Sequence, residues 1–172
     1  MTDELLYAVK DGIAVLTINR PQRRNALTRA VRDGIGEAFR RFEADPQAQV
    51  AILTGTGDTF CAGMDLHEAA DTELRIPPAG FMPVLGDNIE VTKPVIAAVQ
   101  GACIGAGLEL IGACDIRLAA ADATFSLRET RMGIVADLGA LQRLPKIVGA
   151  GHAAELIYTG KDVDAARARE IG

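Results

Sequence analysis

Apolar and polar residues alternate near the start of the chain, which is the pattern of half-buried β-strands. The alternation covers residues 5–10 and 12–19 around Asp11-Gly12, and an Asp-Gly pair between two such runs is typical of a β-hairpin. Two later segments, VAILTG at 50–55 and PVIAAVQG at 94–101, are continuously apolar. Such runs predict strands of a sheet that is covered on both faces. Further short strands are predicted at residues 115–120 and 123–127.

Between these strands apolar residues recur every three or four positions, as on the buried face of an α-helix. The clearest case is residues 28–44, where Val31, Ile35, Phe39 and Phe42 fall on one face before Asp45-Pro46 ends the run. Other helices are predicted at residues 66–74, 81–92, 106–113, 138–148, 151–159 and 165–170, with loops at 21–25 and 75–80. Strands that alternate with helices predict an α/β fold, here one domain over residues 1–172.

The two ends of the chain and its composition narrow the functional classes. The chain is 49% hydrophobic and carries a net charge of −5, which disfavours nucleic acid as a general partner. There is no apolar run of membrane-spanning length and no signal-peptide core at the N-terminus. The C-terminus directly follows a helical pattern, so we expect that a C-terminal segment is missing.

The cysteines are odd in number and show no C-x-x-C spacing. Cys61, Cys103 and Cys114 are therefore interpreted as buried thiols of a reducing compartment, which predicts a cytoplasmic protein without a disulfide or a metal site. A catalytic cysteine would need a partner, and His67 and His152 are the two histidines of the chain. His67 is expected to be exposed rather than catalytic.

Two glycine-containing loops each lie between a buried strand and a predicted helix. They are TGTGDTFCAGMDL, at residues 54–66, and GACIGAGLEL, at residues 101–110. Glycine lets a ligand approach the backbone, and the first N–H groups of a helix have no partner inside the helix. Two such helix starts at one point would form an oxyanion hole. Neither loop contains G-K-[ST], which excludes a P-loop, and the second only loosely matches a dinucleotide-binding pattern.

A purely structural interpretation of the loops is that their glycines allow tight turns and close packing of helices on strands. Glu109 favours a ligand site instead, because this carboxylate lies on the helix just after the second loop and is flanked by apolar residues. It would be within reach of whatever the loop binds.

Several segments closely resemble the crotonase family, also called the enoyl-CoA hydratase/isomerase superfamily. They are TFCAGMDL, GACIGAGLELIGACDIRLAA and FSLRETRMGIVADLGALQRLPKIVG, supported by NRPQRRNAL, VAILTG and KPVIAAVQG. The segments cover nearly the whole chain in order. The resemblance implies a right-handed spiral of repeated ββα units and acyl-CoA thioester substrates. It implies no cofactor apart from the coenzyme A of the substrate, and a homotrimer or dimer of trimers for the full-length protein.

The same resemblance assigns roles to individual residues. The oxyanion hole would be formed by the backbone N–H groups of Met64 and Ala106, and the acid/base pair of a hydratase would be Glu109 and Glu129. Contacts to coenzyme A, mostly through the backbone, would come from Arg24, Ala26, Ala62, Gly63, Asp65 and Gly105.

Asp137 does not fit a simple hydratase. Classical hydratases tend to have a small residue there, whereas GIVADLGALQRLPK resembles dienoyl-CoA isomerases, which use an aspartate at this position. Shifting conjugated double bonds would then use Glu129 and Asp137, although those isomerases carry aspartate where this chain has Glu109. A structural alternative is that Asp137 only caps the helix predicted from Leu138. Arg131 is more easily explained as a surface charge than as a partner of these carboxylates.

Two other functions stay open. One is a non-catalytic CoA-binding protein that keeps the spiral fold, which the presence of both glutamates disfavours. The other is a different crotonase reaction, such as thioester hydrolysis or decarboxylation, which two helix-borne carboxylates fit less well than proton transfer.

Overall fold

The computed structural model describes residues 3–70 and 89–172 and consists of alternating strands and helices. The strands are β1 (Leu5–Lys10), β2 (Ile13–Ile18), β3 (Val50–Gly55), β4 (Val95–Val99), β5 (Ala102–Ile104), β6 (Ile116–Ala119), β7 (Thr124–Ser126) and β8 (Val163–Asp164). The helices are α1 (Arg29–Ala44), α2 (Leu66–Ala70), α3 (Ala106–Gly112), α4 (Ala140–Val148), α5 (Ala150–Thr159) and α6 (Ala165–Ile171). Short 3₁₀ turns lie at Pro21–Arg23 and Glu129–Met132.

The larger sheet has the strand order β1-β2-β3-β4-β6. Its first two strands form the predicted hairpin, in which Leu5 pairs with Ile18 and Lys10 with Ile13. The other neighbours are parallel. Parallel strands need long crossovers, and the intervening helices provide them. The α/β prediction is therefore confirmed.

A smaller sheet, in the order β5-β7-β8, is built from the same repeating unit. After β4 the chain forms β5 of the small sheet and then α3, and after β6 it forms β7 and the 3₁₀ turn that leads to α4. The first loop joins this sheet through a parallel bridge between Cys61 and Cys103. Each turn of the chain thus contributes to the large sheet, then to the small one, then to a helix, and this order brings the successive loops side by side.

Helix α1 covers one face of the large sheet, where it packs against β1 and β2. Its N-cap is Thr28, whose hydroxyl accepts from the N–H of Val31. The aromatic side chains of Phe39 and Phe42 are completely buried, as their spacing predicts. A second apolar cluster lies under α4 and α5 and contains Leu127, Leu144, Ala153 and Leu156 among others.

The structure corrects three details of the predicted elements. Residues 102–104, predicted as part of a glycine loop, form strand β5, and the helix predicted from Leu138 begins at Ala140. Residues 89–92, the described end of the helix predicted at 81–92, are not helical. The end of the helix predicted at 66–74, the loop at 75–80 and residues 81–88 lie outside the described residues. Within the described ranges, no helix is both long and apolar enough to span a membrane.

Candidate functional site

The two glycine loops lie directly against each other. The N–H of Cys61 donates to the carbonyl of Ala102 (3.0 Å), and the N–H of Ile104 donates to the carbonyl of Cys61 (2.9 Å). Gly107 allows this approach, because a Cβ atom built on it would lie 2.9 Å from the Cβ of Cys61. The starts of α2 and α3 are therefore neighbours, as an oxyanion hole requires.

The backbone N–H of Met64 points away from Leu27, the residue that forms a parallel bridge with it. Leu27 donates to the carbonyl of Gly63 (2.8 Å) and accepts from the N–H of Asp65 (3.1 Å). In a parallel ladder, a residue whose two neighbours are bonded to one partner directs its own N–H to the opposite side. On that side lies the second loop, since a Cβ atom built on Gly63 would be 3.7 Å from the nitrogen of Ala106.

Neither of the two predicted oxyanion-hole groups is used internally. Among the described residues, the N–H groups of Met64 and Ala106 donate no hydrogen bond, and Ala106 is the first residue of α3. A helix-start N–H without a partner is available to an external acceptor. Ala106 also has an ordinary negative φ, so alanine is tolerated at this position.

The first loop is fixed by a cluster that comprises Arg20, Glu4, Ala26 and Asp65, here called the Arg20 cluster. The guanidinium of Arg20 donates to the carbonyl of Ala26 (2.6 Å), to Oδ2 of Asp65 (3.0 Å) and to Oε1 of Glu4 (2.9 Å). The other oxygen of Asp65 accepts from the N–H of His67 (3.1 Å) and so caps α2. Burial raises the pKa of Asp65, but the hydrogen bonds from Arg20 and the backbone outweigh it and hold the pKa below its usual range.

These contacts define how the predicted coenzyme A residues are placed. Ala62 donates to the carbonyl of Arg24 (3.0 Å), so the two segments predicted to bind coenzyme A form one hydrogen-bonded ribbon. The side chain of Asp65 is buried and used inside the protein, which leaves only its backbone for a ligand. Arg24 is exposed and adopts a left-handed backbone conformation. Gly105, from the second loop, lies between Ile104 and Ala106, which Gly63 of the ribbon approaches, and its other side lies beside Glu129.

Glu109 lies on α3 with its carboxyl group directed at the start of α4. Its Oε1 accepts from the N–H groups of Leu138 (2.8 Å) and Ala140 (3.3 Å). The residue is 4% exposed. Burial, together with the charge of Glu129, raises the pKa of Glu109 to about 7 even though the two hydrogen bonds oppose the shift. A carboxyl group with this pKa can both donate and accept a proton near neutral pH.

Glu129 begins the 3₁₀ turn after β7 and faces the second loop. Its Oε1 would lie 2.8 Å from a Cβ atom built on Gly105, so glycine is needed there for the carboxylate to fit. Its Oε2 is buried and has no hydrogen-bond partner among residues 3–70 and 89–172. Burial raises the pKa of Glu129, with a smaller contribution from Asp137. A buried polar atom without a partner is rare in proteins and is typical of a group kept for a ligand or a reaction.

Asp137 is exposed and does not cap a helix. Helix α4 begins at Ala140, and its N-cap is Gly139, with no side-chain hydrogen bond to the helix. The capping interpretation of Asp137 is therefore wrong, because Glu109 from another helix supplies the acceptor at this helix start. The charge of Asp137 contributes to the raised pKa values of Glu109 and Glu129. The three carboxylates thus form one group, here called the carboxylate cluster.

Other candidates have structural roles. The three cysteines are buried free thiols, and burial raises the pKa of Cys61 to about 12, which disfavours it as a nucleophile. His67 and Arg131 are both exposed, as expected.

The sequence analysis did not identify two buried polar residues, Arg20 and Asn25. Asn25 is fully buried and donates to the carbonyls of Thr56 (2.9 Å) and Thr59 (2.6 Å). Both lie next to or within a segment predicted as a basic surface loop, and no local pattern marks them as buried.

A cavity of about 750 Å³ lies between α3, β6, α4 and α6. Its lining is mainly apolar and contains Glu109, but not Glu129, Asp137, Met64 or Ala106. The unpartnered N–H groups and the buried oxygen of Glu129 lie elsewhere. We therefore place the candidate site at the two loops and the carboxylate cluster rather than in this cavity.

Comparisons with known proteins point to one family. A family model described as enoyl-CoA hydratase/isomerase matches residues 8–172. The mevalonyl-coenzyme A hydratase sidH of Aspergillus fumigatus is 38% identical over 93% of this chain and 60% of its own length. The peroxisomal Delta(3,5)-Delta(2,4)-dienoyl-CoA isomerase of Arabidopsis thaliana is 38% identical over 91% of this chain and 62% of its own length.

A solved structure shows the same arrangement of elements. The enoyl-CoA hydratase from Mycobacterium tuberculosis H37Rv is 40% identical and superimposes with a TM-score of 0.88 over 99% of this chain and 72% of that chain. The chain thus spans about three fifths of the length of the two curated relatives above. Identity to the hydratase and to the isomerase among those two is the same, so overall similarity does not separate the two reactions.

Proposed function

Because the chain belongs to the enoyl-CoA hydratase/isomerase family, we propose that it acts on unsaturated acyl-CoA thioesters by carboxylate-mediated proton transfer. The observation that carries this proposal is that the Glu129 carboxylate lies against Gly105, the residue before Ala106, and has a buried Oε2 without a hydrogen bond in the described part of the chain, where the N–H groups of Met64 and Ala106 also donate none. The N–H groups can bind a developing oxyanion, and the carboxylate can exchange a proton beside it.

The thioester oxygen would accept hydrogen bonds from Met64 and Ala106. Electron density can then move from the acyl chain onto this oxygen, which lowers the free energy of an enolate. Both N–H groups belong to backbone that the Arg20 cluster and the small sheet hold in place. Little reorganisation is then needed when charge develops, which is the main advantage of a preorganised oxyanion hole.

For hydration, Glu109 and Glu129 would bind a water molecule between them. One carboxylate removes a proton as the water oxygen bonds to the β-carbon, and the other carboxyl group, in its protonated form, delivers its proton to the α-carbon. The elements of water are thereby added across the double bond. One carboxyl group has then gained a proton and the other has lost one, and exchange with solvent restores both. The pKa of about 7 on Glu109 suits either direction of transfer.

The second candidate is the isomerisation of a 3,5-dienoyl-CoA to the 2,4-dienoyl-CoA. A proton leaves C2, the double bonds shift through the dienolate, and a proton is added at C6. This reaction needs two acids at separated carbons, and Glu129 and Asp137 are candidates. Its support is that Asp137 is exposed, is not a helix cap, and raises the pKa values of the other two carboxyl groups.

Binding of coenzyme A is proposed for the ribbon formed by Arg24, Ala26, Ala62, Gly63 and the backbone of Asp65, with Gly105 beside the thioester. We propose no cofactor beyond the coenzyme A of the substrate, since the oxyanion hole and the carboxylates supply the groups that the chemistry needs.

Assembly as a homotrimer or dimer of trimers, and a cytoplasmic location, also remain proposals. The exposed apolar side chains of Ile116 and Leu118 on β6 support a contact with another surface. The free thiols support a reducing compartment. Light scattering on the purified protein tests the assembly.

The reaction can be tested by offering a 2-enoyl-CoA and a 3,5-dienoyl-CoA separately. Hydration is seen as loss of the enoyl thioester absorbance, and isomerisation as growth of the conjugated dienoyl absorbance. If acyl-CoA binds and neither absorbance changes, the protein is a non-catalytic CoA-binding member of the fold and the proposed reactions are wrong. Release of free thiol from the thioester would instead indicate hydrolysis.

A further inference from the structure

The hydrogen bonds from the start of α4 to Glu109 join two parts of the site that are distant in sequence. Both bonds end on the single oxygen Oε1, and the donors, Leu138 and Ala140, follow Asp137 within three residues. No side chain of the turn itself caps α4, because the N-cap residue is Gly139. Glu109 thus takes the place of the missing cap.

The Asp137 side chain itself does little to hold the turn at residues 137–140. In the described part of the chain, the Asp137 carboxylate makes no hydrogen bond or ion pair. Gly139 has a φ of +98°, a conformation open to glycine, and as a glycine it has no side chain that could hold the N–H groups of the turn. Arg143 does contact the turn, since its Nη1 donates to the carbonyl of Leu138 (3.2 Å). That bond engages a carbonyl group, whereas the N–H groups of Leu138 and Ala140 are bonded by Glu109.

We propose that Glu109 is a positioning residue that fixes the turn at residues 137–140 and thereby sets where Asp137 faces the acyl chain. The activity part of this inference rests on the proposed function, and its structural part does not. A division of roles follows. Hydration needs the acid/base capacity of Glu109, whereas a double-bond shift through Glu129 and Asp137 needs only an acceptor oxygen at Glu109.

Two variants separate these roles. In Glu109→Gln the amide oxygen can still accept from both N–H groups, although the residue no longer transfers protons. In Glu109→Ala the acceptor is lost as well. Hydrogen exchange of the amides of Leu138 and Ala140 reports the positioning role directly, because these are the two donors. The amide of Ala153, which donates to Gly149 (3.0 Å) in the neighbouring helix, serves as a control for general loosening.

We expect the exchange of both amides to be about tenfold or more faster in Glu109→Ala and to change by less than about threefold in Glu109→Gln, since each bond to a carboxylate contributes about one decade or more. The Ala153 amide should change only as far as the global stability of each variant changes, which denaturation at the same pH measures. Equal exchange at Leu138 and Ala140 in the wild type and in Glu109→Ala would overturn the positioning role.

The activity arm uses the same two variants with a 3,5-dienoyl-CoA. Glu109→Gln should keep isomerisation within about tenfold of the wild type while losing hydration, and Glu109→Ala should lose both, because acid/base catalysis and positioning are each worth about two decades. If Glu109→Gln keeps the amide protection but loses isomerisation as fully as Glu109→Ala, the division of roles is wrong. If the wild type converts neither substrate, the proposed function fails, while the exchange experiment still decides the positioning role.

Discussion

The Arg20 cluster and the carboxylate cluster both contain buried acidic groups, but the pKa values of these groups are shifted in opposite directions. In the first, Asp65 receives hydrogen bonds on both oxygens, and its pKa is lowered. In the second, Glu129 keeps one buried oxygen without a partner, and burial raises the pKa values of Glu129 and Glu109. The Arg20 cluster therefore keeps a carboxylate charged, whereas the carboxylate cluster contains Glu109, which can gain a proton near neutral pH, and Glu129, whose pKa is raised.

This difference in hydrogen bonding and pKa indicates that Asp65 supports the loop, whereas Glu109 and Glu129 are suited to a reaction. Satisfied charges make a loop rigid, and the oxyanion hole needs a rigid backbone. Unsatisfied carboxyl groups lower stability, and proteins retain them mainly where a ligand or a reaction completes their environment. Substitutions in either cluster can therefore test whether its carboxylates support the fold or take part in a reaction.

Replacing Glu129 by glutamine should have the largest effect on activity. The amide is similar in shape but cannot transfer a proton, so kcat should fall by about 10² to 10⁴-fold for every reaction that uses this residue. Stability at neutral pH should rise rather than fall, because burial raises the pKa of Glu129 and so disfavours its charged form in the folded state, and because Oε2 makes no hydrogen bond within the described residues. Steady-state rates and thermal unfolding measure the two effects, with the exposed Glu37→Gln as the control. A drop in stability as large as the drop in rate would contradict the reactive role.

Replacing Arg20 by methionine should have the largest effect on stability. The variant leaves Asp65 buried without its charged partner, which costs about 3–5 kcal/mol in comparable buried pairs. Chemical denaturation measures this loss. Arg29→Met is the matched control, because its ion pair with Asp33 is mostly exposed, and such pairs contribute about 0–1 kcal/mol. Similar small losses in both variants would show that the Arg20 cluster does not hold the loop.

The pH dependence of stability should have opposite signs for Glu109 and Asp65. The folded pKa of Glu109, about 7, lies above its unfolded value, so the folded state binds more protons between about pH 4.5 and 7 and loses stability as the pH rises through this window. Glu109→Gln removes that loss and should be more stable than the wild type by about 2–3 kcal/mol at pH 8, with little difference at pH 4. Denaturation at both pH values measures it.

The depressed pKa of Asp65 predicts the reverse. Its contribution to stability is fully present above its unfolded pKa and is lost as the pH falls through the lower folded pKa. Asp65→Asn should therefore reduce the stability at pH 7 and less so in strong acid. If both variants showed the same sign, the contrast between the two clusters would be incorrect.

Replacing Gly105 by alanine tests the space beside Glu129 and should have the smallest effect. The new Cβ would meet Oε1 of Glu129 at 2.8 Å, and the displaced carboxylate should lower kcat by about 10- to 100-fold. Strain at φ +54° adds about 1–3 kcal/mol of destabilisation. Gly133→Ala is the control, since it also has a positive φ but open space around the Cβ position. Equal rate losses in the two variants would show that strain, not the contact with Glu129, is responsible.

Local sequence patterns were sufficient to predict most of the strands and helices and to identify the family. The hairpin at Asp11-Gly12, the buried strands β3 and β4 and the amphipathic helix α1 follow from turn chemistry and periodicity, which act over a few residues. The glycine loops and the segments around Glu109 and Glu129 were sufficient to identify the enoyl-CoA hydratase/isomerase family. Short-range patterns are readable in this way because the neighbours along the chain are also the neighbours in space.

The contacts between side chains that are distant in sequence depend on the tertiary fold and could not be predicted from local patterns. Arg20 and Asp65 are 45 positions apart and Glu109 and Leu138 are 29 positions apart, and their contacts depend on the order of strands in the two sheets. Asp137 before an apolar helical pattern satisfied the local rule for a cap, yet a carboxylate from another helix occupies that position. Burial and pairing are properties of the surrounding fold, and it is these that make Asp65 a fixed charge and Glu109 a carboxyl group able to take up a proton near neutral pH.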